Sequence, residues 1–341
     1  MIHTTHKIAL SFEDGHTRFI EALSGEKLAD AAYRHGVNIP LDCREGACGT
    51  CKAELEAGSV HMEDYVEDAL SAEEAAMGRI LTCKSVAQSD CVIRIPATAQ
   101  ACLKSPSAPL VARIAELRPL GGAGFVLALE GEGLARLDFL PGQYANITVP
   151  GTTEHRAYSF SSLVDPARHR VEFLIRRVPG GLMSGYLAER ARIGDEMTLR
   201  GPMGGFYLRP VVRPLLFLAG GTGLAPFLAM LHRLRQSGLA QPAHLVYGVN
   251  REEDLVEVAA LDAFAAALPA FTFTTCLATP ARPCPNTGTV SDFLADEQFH
   301  GGDVDVYLCG PPPMVEAVER VIAQRGLVPA AIHYEKFLAS R

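Results

Sequence analysis

The 341-residue chain lacks the features that would place it in a membrane or outside the cell. It has no run of 18 apolar residues, so no membrane span is expected. Its opening stretch carries acids early, unlike a signal peptide with a basic and then an apolar region. Nine cysteines without an export signal favour a reducing cytoplasm. Repeats and long low-complexity tracts are also missing, and the length favours two or three globular domains.

An excess of positive charge is missing as well. The formal net charge is −8, and residues 1–100 hold 16 acids against 9 bases, whereas the other 241 residues hold 23 acids and 22 bases. Phosphate would repel such a surface, so a nucleic-acid partner is not expected, and a positively charged protein partner is favoured.

Much of this negative charge lies in residues 53–78, which contain eight acids and no Lys or Arg. The acids are Glu54, Glu56, Glu63, Asp64, Glu67, Asp68, Glu73 and Glu74. Two interpretations stay open: a solvated acidic face, or a surface that guides an electron acceptor by charge.

The most informative residues are four cysteines near the start of the chain, Cys43, Cys48, Cys51 and Cys83. Their spacing is C-x4-C-x2-C followed by one distant cysteine, which is typical of a plant-type 2Fe–2S cluster. Each of the two irons needs two thiolates beyond the bridging sulfides. One tight loop can supply three thiolates, and the glycines within it allow a close wrap. We therefore predict these four residues as iron ligands.

A zinc site or a pair of disulfides would also use four cysteines. Zinc favours two separated C-x2-C pairs, which are missing here, and disulfides would fit an exported domain. Cys91 competes with Cys83 for the fourth position. However, Cys91 opens CVIRI, which alternates like a strand, so a packing role is favoured.

Composition along the chain divides it into three parts. Residues 1–98 begin with a predicted hairpin and a short helix before the cysteine loop, and residues 99–109 are small, polar and proline-bearing, which is typical of a linker. Residues 110–209 predict strands with frequent Gly and Pro, as in a small barrel. Residues 210–341 alternate apolar strands, glycine turns and helices, which predicts a parallel sheet covered by helices.

The middle part contains candidate residues for a flavin. In RAYSFSS, Arg156 and Tyr158 project to one side of a strand and are followed by Ser159. An arginine fork suits a pyrophosphate, a tyrosine can stack on a flat ring, and a hydroxyl can bond a ring nitrogen. A plain edge strand is the alternative.

A second candidate for the flavin site is VPGGLMSGYL, in which a glycine turn leads to Ser184. We expect Ser184 to cap or start a helix near Gly185, and a glycine turn before a helix can bind a phosphate. An ordinary turn with a helix cap is the alternative.

The last part contains two strand-to-helix turns. LFLAGGTGLAP places Gly221, Thr222 and Gly223 where a dinucleotide turn is expected, although Pro226 replaces the third glycine of the usual fingerprint. YLCGPPPMV places Cys309 at a strand tip, where ligands of open parallel sheets gather. The alternative for Cys309 is a buried thiol beside a turn.

Taken in order, these four motifs resemble a ferredoxin-fused member of the ferredoxin–NADP reductase superfamily. Such proteins are reductases of bacterial aromatic-ring oxygenases, and the quoted motifs are most similar to reductases of the benzoate 1,2-dioxygenase type. The resemblance covers essentially the whole chain. It implies a multidomain α+β and α/β fold: a β-grasp 2Fe–2S ferredoxin domain, an antiparallel β-barrel FAD domain and a parallel α/β nucleotide-binding domain.

The resemblance also implies roles for individual residues. Arg156 and Ser184 would hold the FAD phosphates, with Tyr158 and Ser159 at the isoalloxazine, and the 221–223 turn would hold the nicotinamide dinucleotide. Cys309 would lie near the hydride path. In this family a terminal aromatic shields the flavin; here the candidate is Phe337, which is not the last residue, with Glu335 nearby. We therefore expect Ser159, Cys309, Glu335 and Phe337 to be the catalytic residues.

Coenzyme and partner follow from charge and resemblance. Glu252, Glu253 and Asp254 would repel a 2′-phosphate that only Arg251 could attract, which favours NADH. The resemblance implies that electrons pass from NADH to FAD, then to the 2Fe–2S cluster, and then to a Rieske-type oxygenase component. Two alternatives remain at this point: a reductase for a di-iron monooxygenase or another one-electron acceptor, and a non-enzymatic carrier or sensor.

Overall fold

The computed structural model describes residues 5–102, 109–282 and 285–337. These residues form two compact units. The first contains the described residues of Met1–Ser107 together with Met203–Gly205, and the second contains those of Ala108–Pro202 and Phe206–Arg341.

The first unit is a mixed sheet with short helices. Its strands are β1 (Thr5–Phe12), β2 (Thr17–Leu23), β3 (Lys52–Ala57), β4 (Val60–Met62), β5 (Arg79–Leu81), β6 (Ser85–Ala87) and β7 (Cys91–Ile95). Its helices are α1 (Leu28–Arg34), α2 (Ala72–Ala76) and α3 (Ala99–Cys102). The main sheet has the order β2-β1-β7-β3-β5, with β1 antiparallel to β2 and parallel to β7. This is the β-grasp arrangement that the resemblance implies, and the predicted first hairpin is confirmed.

Alternation and helical spacing explain the core of this unit. Ile8 and Leu10 lie on one face of β1 and are buried, while Ala9 between them is partly exposed. On α1, Leu28 and Ala32 are four residues apart and are also buried. The α1 helix ends before Gly36, whose φ of 72° is left-handed, as expected for a residue that terminates a helix.

The second unit begins with an antiparallel barrel. Its elements are β8 (Leu110–Leu120), β9 (Gly124–Glu130), β10 (Tyr144–Thr148), β11 (His155–Ser159), β12 (Arg170–Arg176), α4 (Leu182–Glu189) and β13 (Glu196–Met203). The strand order is β11-β10-β13-β8-β9-β12, and a bridge between Phe160 and Phe173 joins the two end strands. The sheet thus closes on itself, which removes its edges.

The rest of this unit is a five-stranded parallel sheet with helices. Its elements are β14 (Leu215–Gly220), α5 (Ala225–Ser237), β15 (Ala243–Val249), α6 (Val258–Ala267), β16 (Phe271–Leu277), β17 (Asp305–Gly310), α7 (Pro312–Gln324) and β18 (Ala331–Lys336). The order is β16-β15-β14-β17-β18, and every pairing is parallel. The chain therefore changes direction across the sheet between β14 and β17, where the ends of the two strands leave a crevice.

Two further observations bear on the expectations from sequence. None of the helices in the described residues has the length and hydropathy that a membrane crossing requires. The stretch predicted as a linker opens with α3, in which Ala99 and Cys102 are buried, while residues 103–108 lie outside the described part of the chain. The boundaries 1–98, 99–109, 110–209 and 210–341 stay a prediction.

Candidate functional site

The four predicted iron ligands come together as two pairs of thiols. Sγ of Cys51 lies 3.1 Å from Sγ of Cys83, and both residues are buried. The thiols of Cys43 and Cys48 are hydrogen-bonded to each other. Within the described ranges, no three His, Cys, Asp or Glu residues surround one point as ligands of a single metal ion would. Two pairs of thiolates are what a binuclear 2Fe–2S cluster requires, so the donor set fits this group.

Backbone amides point at the same sulfur atoms. The amides of Glu45 and Ala47 each donate to Sγ of Cys43 at 3.4 Å. Together with the hydrogen bond from Cys48, which has the largest effect, they lower the pKa of Cys43 to about 4. The pKa of Cys48 is raised because it is the proton donor of the pair and is buried. The loop therefore favours a thiolate at Cys43, and thiolate is the form that binds iron.

The two glycines of the loop are needed for close approach. A Cβ on Gly46 would lie 2.8 Å from Cγ of Lys84 and 2.9 Å from Cβ of Tyr65. A Cβ on Gly49 would lie 2.9 Å from the carbonyl oxygen of Ala69. Both glycines also have φ of 72°, so a larger residue would be strained as well as crowded.

Cys91 lies apart from this group. It begins β7, is buried, and its Sγ contacts the carbonyl oxygens of Ser89 at 3.2 Å and Ser59 at 3.4 Å. It packs in the sheet, as its place in an alternating strand indicated.

The flavin candidates Arg156, Tyr158 and Ser159 lie on β11 of the barrel. Arg156 and Tyr158 are both half-buried and share one side of the strand, whereas Ala157 between them is exposed. Nη1 of Arg156 donates to the carbonyl oxygen of His155 at 2.7 Å and to Oε2 of Glu154 at 3.2 Å. Tyr158 packs against the barrel core, and burial raises the pKa of its hydroxyl.

Ser184 does not lie where the sequence placed it. The α4 helix begins at Leu182 with Gly181 as its N-cap, so Ser184 lies within the first turn and is not a cap. Its hydroxyl donates to the carbonyl oxygen of Val178 at 2.7 Å and accepts from the amide of the same residue at 3.2 Å. The expected cap is wrong because this serine bonds back to the loop that follows β12; its contact with a phosphate stays a prediction.

The glycine turn Gly221–Leu224 follows β14 and leads into α5. It lies at the reversal of strand order, where a nucleotide is expected to bind. Gly223 faces the neighbouring strand so closely that a Cβ would lie 2.3 Å from the carbonyl oxygen of Cys309. The fold of the turn thus depends on the lack of a side chain at this position.

The other predicted catalytic residues meet at the join between barrel and sheet. Oγ of Ser159 donates to Oε2 of Glu335 at 3.4 Å, and Glu335 is the register partner of Cys309. Cys309 is fully buried, and burial together with the nearby Glu335 raises the pKa of its thiol. The amide of Phe337 donates to the carbonyl oxygen of Gly310 at 2.9 Å, which ties the end of β18 to the end of β17.

Charged residues near two of these sites are already paired. Beyond β15, Nη1 of Arg251 lies 3.3 Å from Oε1 of Glu253. In the acidic segment, Lys52 binds Glu74 and Arg94 binds Glu56, each through a contact of 2.6–2.7 Å. The two pairings in the acidic segment were not predicted, because Lys52 and Arg94 both stand outside the 53–78 run.

Glu63 of the same segment binds the ammonium groups of both Lys27 and Lys84. The sequence analysis missed both lysines. The one signal in the sequence was the position of Lys84 directly after Cys83.

Family models match three stretches of the chain. The 2Fe-2S iron-sulfur cluster binding domain matches residues 11–88. The oxidoreductase FAD-binding domain matches residues 123–207, and the oxidoreductase NAD-binding domain matches residues 217–320. The order of the three models is the order of the three folds described above.

Similar proteins match over nearly the full length. The toluate 1,2-dioxygenase electron transfer component of Pseudomonas putida is 52% identical over 337 residues, which are 98% of this chain and 99% of the relative. The 2-halobenzoate 1,2-dioxygenase electron transfer component of Burkholderia cepacia is 47% identical, with 97% and 98% covered. Among solved structures, the cytochrome P450 reductase GcoB of Amycolatopsis has a TM-score of 0.71 and 32% identity, covering 97% of this chain and 98% of that one.

Proposed function

This chain belongs to the family of iron–sulfur flavoprotein electron transfer components of 1,2-dioxygenases, and from this premise we propose that it passes electrons from NADH to the oxygenase component of an aromatic-ring dioxygenase. The observation that carries the proposal is the full-length similarity to the toluate and 2-halobenzoate components. The oxygenase partner is proposed to be of the Rieske type, acting on a substrate of the benzoate, toluate or anthranilate class.

The cofactors divide the chemistry: the nicotinamide supplies a hydride, FAD takes up two electrons and can give them up singly, and the 2Fe–2S cluster carries one electron at a time. The chain supplies their positions. The four cysteine thiolates are proposed to hold the irons, and the amides of the loop to stabilise the charge on the sulfurs. The Arg156 guanidinium and the turn before α4 are proposed to hold the FAD phosphates, with Tyr158 against the flavin ring.

The join between barrel and sheet is proposed to be where hydride transfer occurs. Ser159 comes from the barrel strand that would face the flavin, and Glu335 and Cys309 come from the two sheet strands beside the nucleotide turn. Their contact supports the idea that these side chains set the distance between the nicotinamide and the flavin. Phe337, which packs against the core of the second unit, is proposed to cover the flavin ring when FAD is bound.

A preference for NADH over NADPH is part of the proposal. The acids 252–254 form a short helical turn directly after β15, and Arg251 is engaged by Glu253. A coenzyme 2′-phosphate at this position would meet net negative charge. The preference is tested by comparing kcat/KM for the two coenzymes with a small acceptor; equal values would mean that these acids do not face the ribose.

Reconstitution with an oxygenase tests the function itself. The purified protein, loaded with FAD and iron, should support NADH-dependent dihydroxylation of benzoate or toluate by a Rieske oxygenase component. Cytochrome c reduction serves as the control for electron flow. Suppose that cytochrome c is reduced and a di-iron monooxygenase turns over, but the Rieske oxygenase does not. The proposed partner would then be wrong, and a di-iron monooxygenase would take its place.

A different one-electron acceptor is a second candidate. The structural neighbour GcoB is a cytochrome P450 reductase, so a protein of similar architecture can serve an acceptor other than a dioxygenase. Failure of both NADH oxidation and cytochrome c reduction would instead favour a non-enzymatic carrier and contradict the reductase assignment.

A further inference from the structure

A cluster of charged side chains lies beside the fourth predicted iron ligand. Lys84 follows Cys83, and its Nζ lies 3.5 Å from Oε2 of Glu63. The other oxygen of that carboxylate binds Nζ of Lys27. The lysine side chains are only 18% and 21% exposed, so these ammonium groups are partly shielded from water and salt. One carboxylate therefore holds two ammonium groups, and the group of three carries an excess positive charge.

The Lys84 side chain is held at both ends. Its stem runs across the cysteine loop, since a Cβ on Gly46 would lie 2.8 Å from its Cγ and 3.2 Å from its Cδ. The amide of Gly46 in turn donates to the Cys83 sulfur. At the far end Glu63 binds the ammonium group, and the main-chain amide of Glu63 donates to the carbonyl oxygen of Lys84 at 2.9 Å. The position of this positive charge relative to the ligand loop is therefore fixed by the fold.

A cavity beside this cluster is bordered by a second charged pair. Its volume is about 130 Å³, and its lining includes Cys83, Lys84, Glu63, Lys27, Arg44 and Asp30. Nη1 of Arg44 lies 2.7 Å from Oδ1 of Asp30, so this second pair is balanced. Among the charged residues that border this cavity, the excess positive charge therefore belongs to the two lysines that Glu63 binds.

The location of this charge has a consequence for a redox centre. Reduction adds one negative charge to a 2Fe–2S cluster, and the potential of such clusters depends on nearby charge, hydrogen bonds and exposure to solvent. Residues 1–100 carry 16 acids and 9 bases, so most of the surroundings oppose that added charge. A cation held next to a ligand stabilises the reduced form in a partly buried site more than an exposed cation would.

We propose that Lys84 tunes the cluster, raising its reduction potential so that it can accept electrons within an acidic domain, with Glu63 as the anchor that limits and positions its charge. The inference rests on the proposed function, because it takes Cys43, Cys48, Cys51 and Cys83 as the iron ligands. Lys84 is not itself an iron ligand; its positive charge acts on the cluster from its position beside the ligand loop.

The test is a redox titration of the full-length protein, with the reduced cluster followed by electron paramagnetic resonance. Lys84→Met keeps most of the stem and removes the charge, and it should shift the midpoint to more negative potential. Lys84→Arg should keep the potential near that of the wild type. Glu63→Gln leaves both lysines and removes the anion, so it should shift the midpoint in the opposite, positive direction. Shifts of opposite sign indicate charge, because damage to the loop would not reverse its sign between the two variants.

A matched control is available in the same unit. Arg18 is exposed on β2, the edge strand at the other side of the sheet from β3 and β5. Arg18→Gln removes the same charge from the same unit, and its shift should be less than half that of Lys84→Met and should vanish in high salt, whereas the Lys84→Met shift should persist.

Three results would overturn the inference: equal shifts for Lys84→Met and Arg18→Gln, no shift for Lys84→Met, or shifts of the same sign for Lys84→Met and Glu63→Gln. Iron and sulfide content measured on each variant shows that the cluster is present. A wild-type protein without a cluster signal would contradict the iron-ligand assignment instead, so the two failures are distinguishable.

Discussion

Three of the cysteine thiols stand within nine residues of one loop, whereas Ser159 and Glu335 are 176 residues apart along the chain. The loop brings its thiols together by local turns, with glycines where the chain approaches itself most closely. Ser159 and Glu335 meet only because the ends of a barrel strand and of the edge strand of a parallel sheet come together in one unit.

This difference predicts how each site responds to a substitution. A site built from one loop is specified by residue types at fixed spacing, so losing a ligand should remove the cofactor and leave the other unit intact. A site assembled from distant strands is specified by packing, so a change in packing should weaken it by degrees. The predictions below test this contrast, beginning with the largest expected effect.

Replacing any one iron ligand should abolish the cluster. We expect Cys43→Ala, Cys48→Ala, Cys51→Ala or Cys83→Ala to lose the visible absorption and the iron of the cluster, because three thiolates leave one iron incompletely bound. Flavin reduction by NADH should be unchanged, since the flavin candidates lie in the other unit. Cys91→Ala is the matched control. A cluster that survives Cys83→Ala and is lost in Cys91→Ala would reassign the fourth ligand.

Gly223→Ala should disturb the nucleotide turn. The new Cβ would lie 2.3 Å from the carbonyl oxygen of Cys309, so β14 and β17 must separate at their ends. We expect the free energy of unfolding to fall by about 1–3 kcal/mol and the KM for NADH to rise. Gly238→Ala is the control: its φ of 82° adds backbone strain, but nothing lies within 4 Å of the added carbon. This control should lose stability without a change in KM for NADH. An unchanged KM in Gly223→Ala would show that the turn does not contact the coenzyme.

Glu335→Gln should slow flavin reduction without removing FAD. Gln keeps an oxygen that can accept from Ser159 but lacks the charge, so the long bond of 3.4 Å should weaken by about 1 kcal/mol. This corresponds to about a fivefold slower hydride step in stopped-flow measurements. Ser159→Ala and the double variant complete a thermodynamic cycle. Strictly additive effects of the two changes would show that the contact between barrel and sheet does not act as a unit.

The smallest effect is expected at the acidic segment. Glu56, Glu63 and Glu74 are paired with basic side chains, so a docking test is best made at Asp64 and Glu67. Compared with the wild type, the Asp64→Asn and Glu67→Gln double variant should transfer electrons to the oxygenase several-fold more slowly at about 0.01 M salt, where the screening length is about 30 Å. At about 0.1 M salt the difference between the two rates should be much smaller.

A second double variant serves as the control for this docking test. Asp262→Asn with Glu297→Gln removes two charges from the other unit and should have no effect on oxygenase reduction. Equal rates for the two double variants would mean that the segment is only a solvated face.

Local sequence patterns predicted most of the strands and helices of the fold. A polar turn at residues 13–15, between two runs rich in branched and aromatic residues, predicted the hairpin of β1 and β2. Alternation in CVIRI predicted β7, and the apolar runs before glycine turns predicted β14 to β17. β18 was not predicted, because AIHYEK is a half-exposed edge strand in which apolar and charged residues mix without a clear period. The predicted helix start near Ser184 was also wrong. The hydroxyl of Ser184 can bond either to its own helix or to the loop before it, and the spacing of residues alone does not distinguish these choices.

The sequence by itself determined the order of the three cofactor-binding folds and the residue types of the cysteine loop, because these depend on neighbours only a few residues away. The tertiary structure decided that Cys51 pairs with Cys83, which strand brings Ser159 to Glu335, and which lysines bind Glu63. Each of these contacts joins segments that are far apart along the chain, and their geometry follows from the packing of whole sheets rather than from any local periodicity.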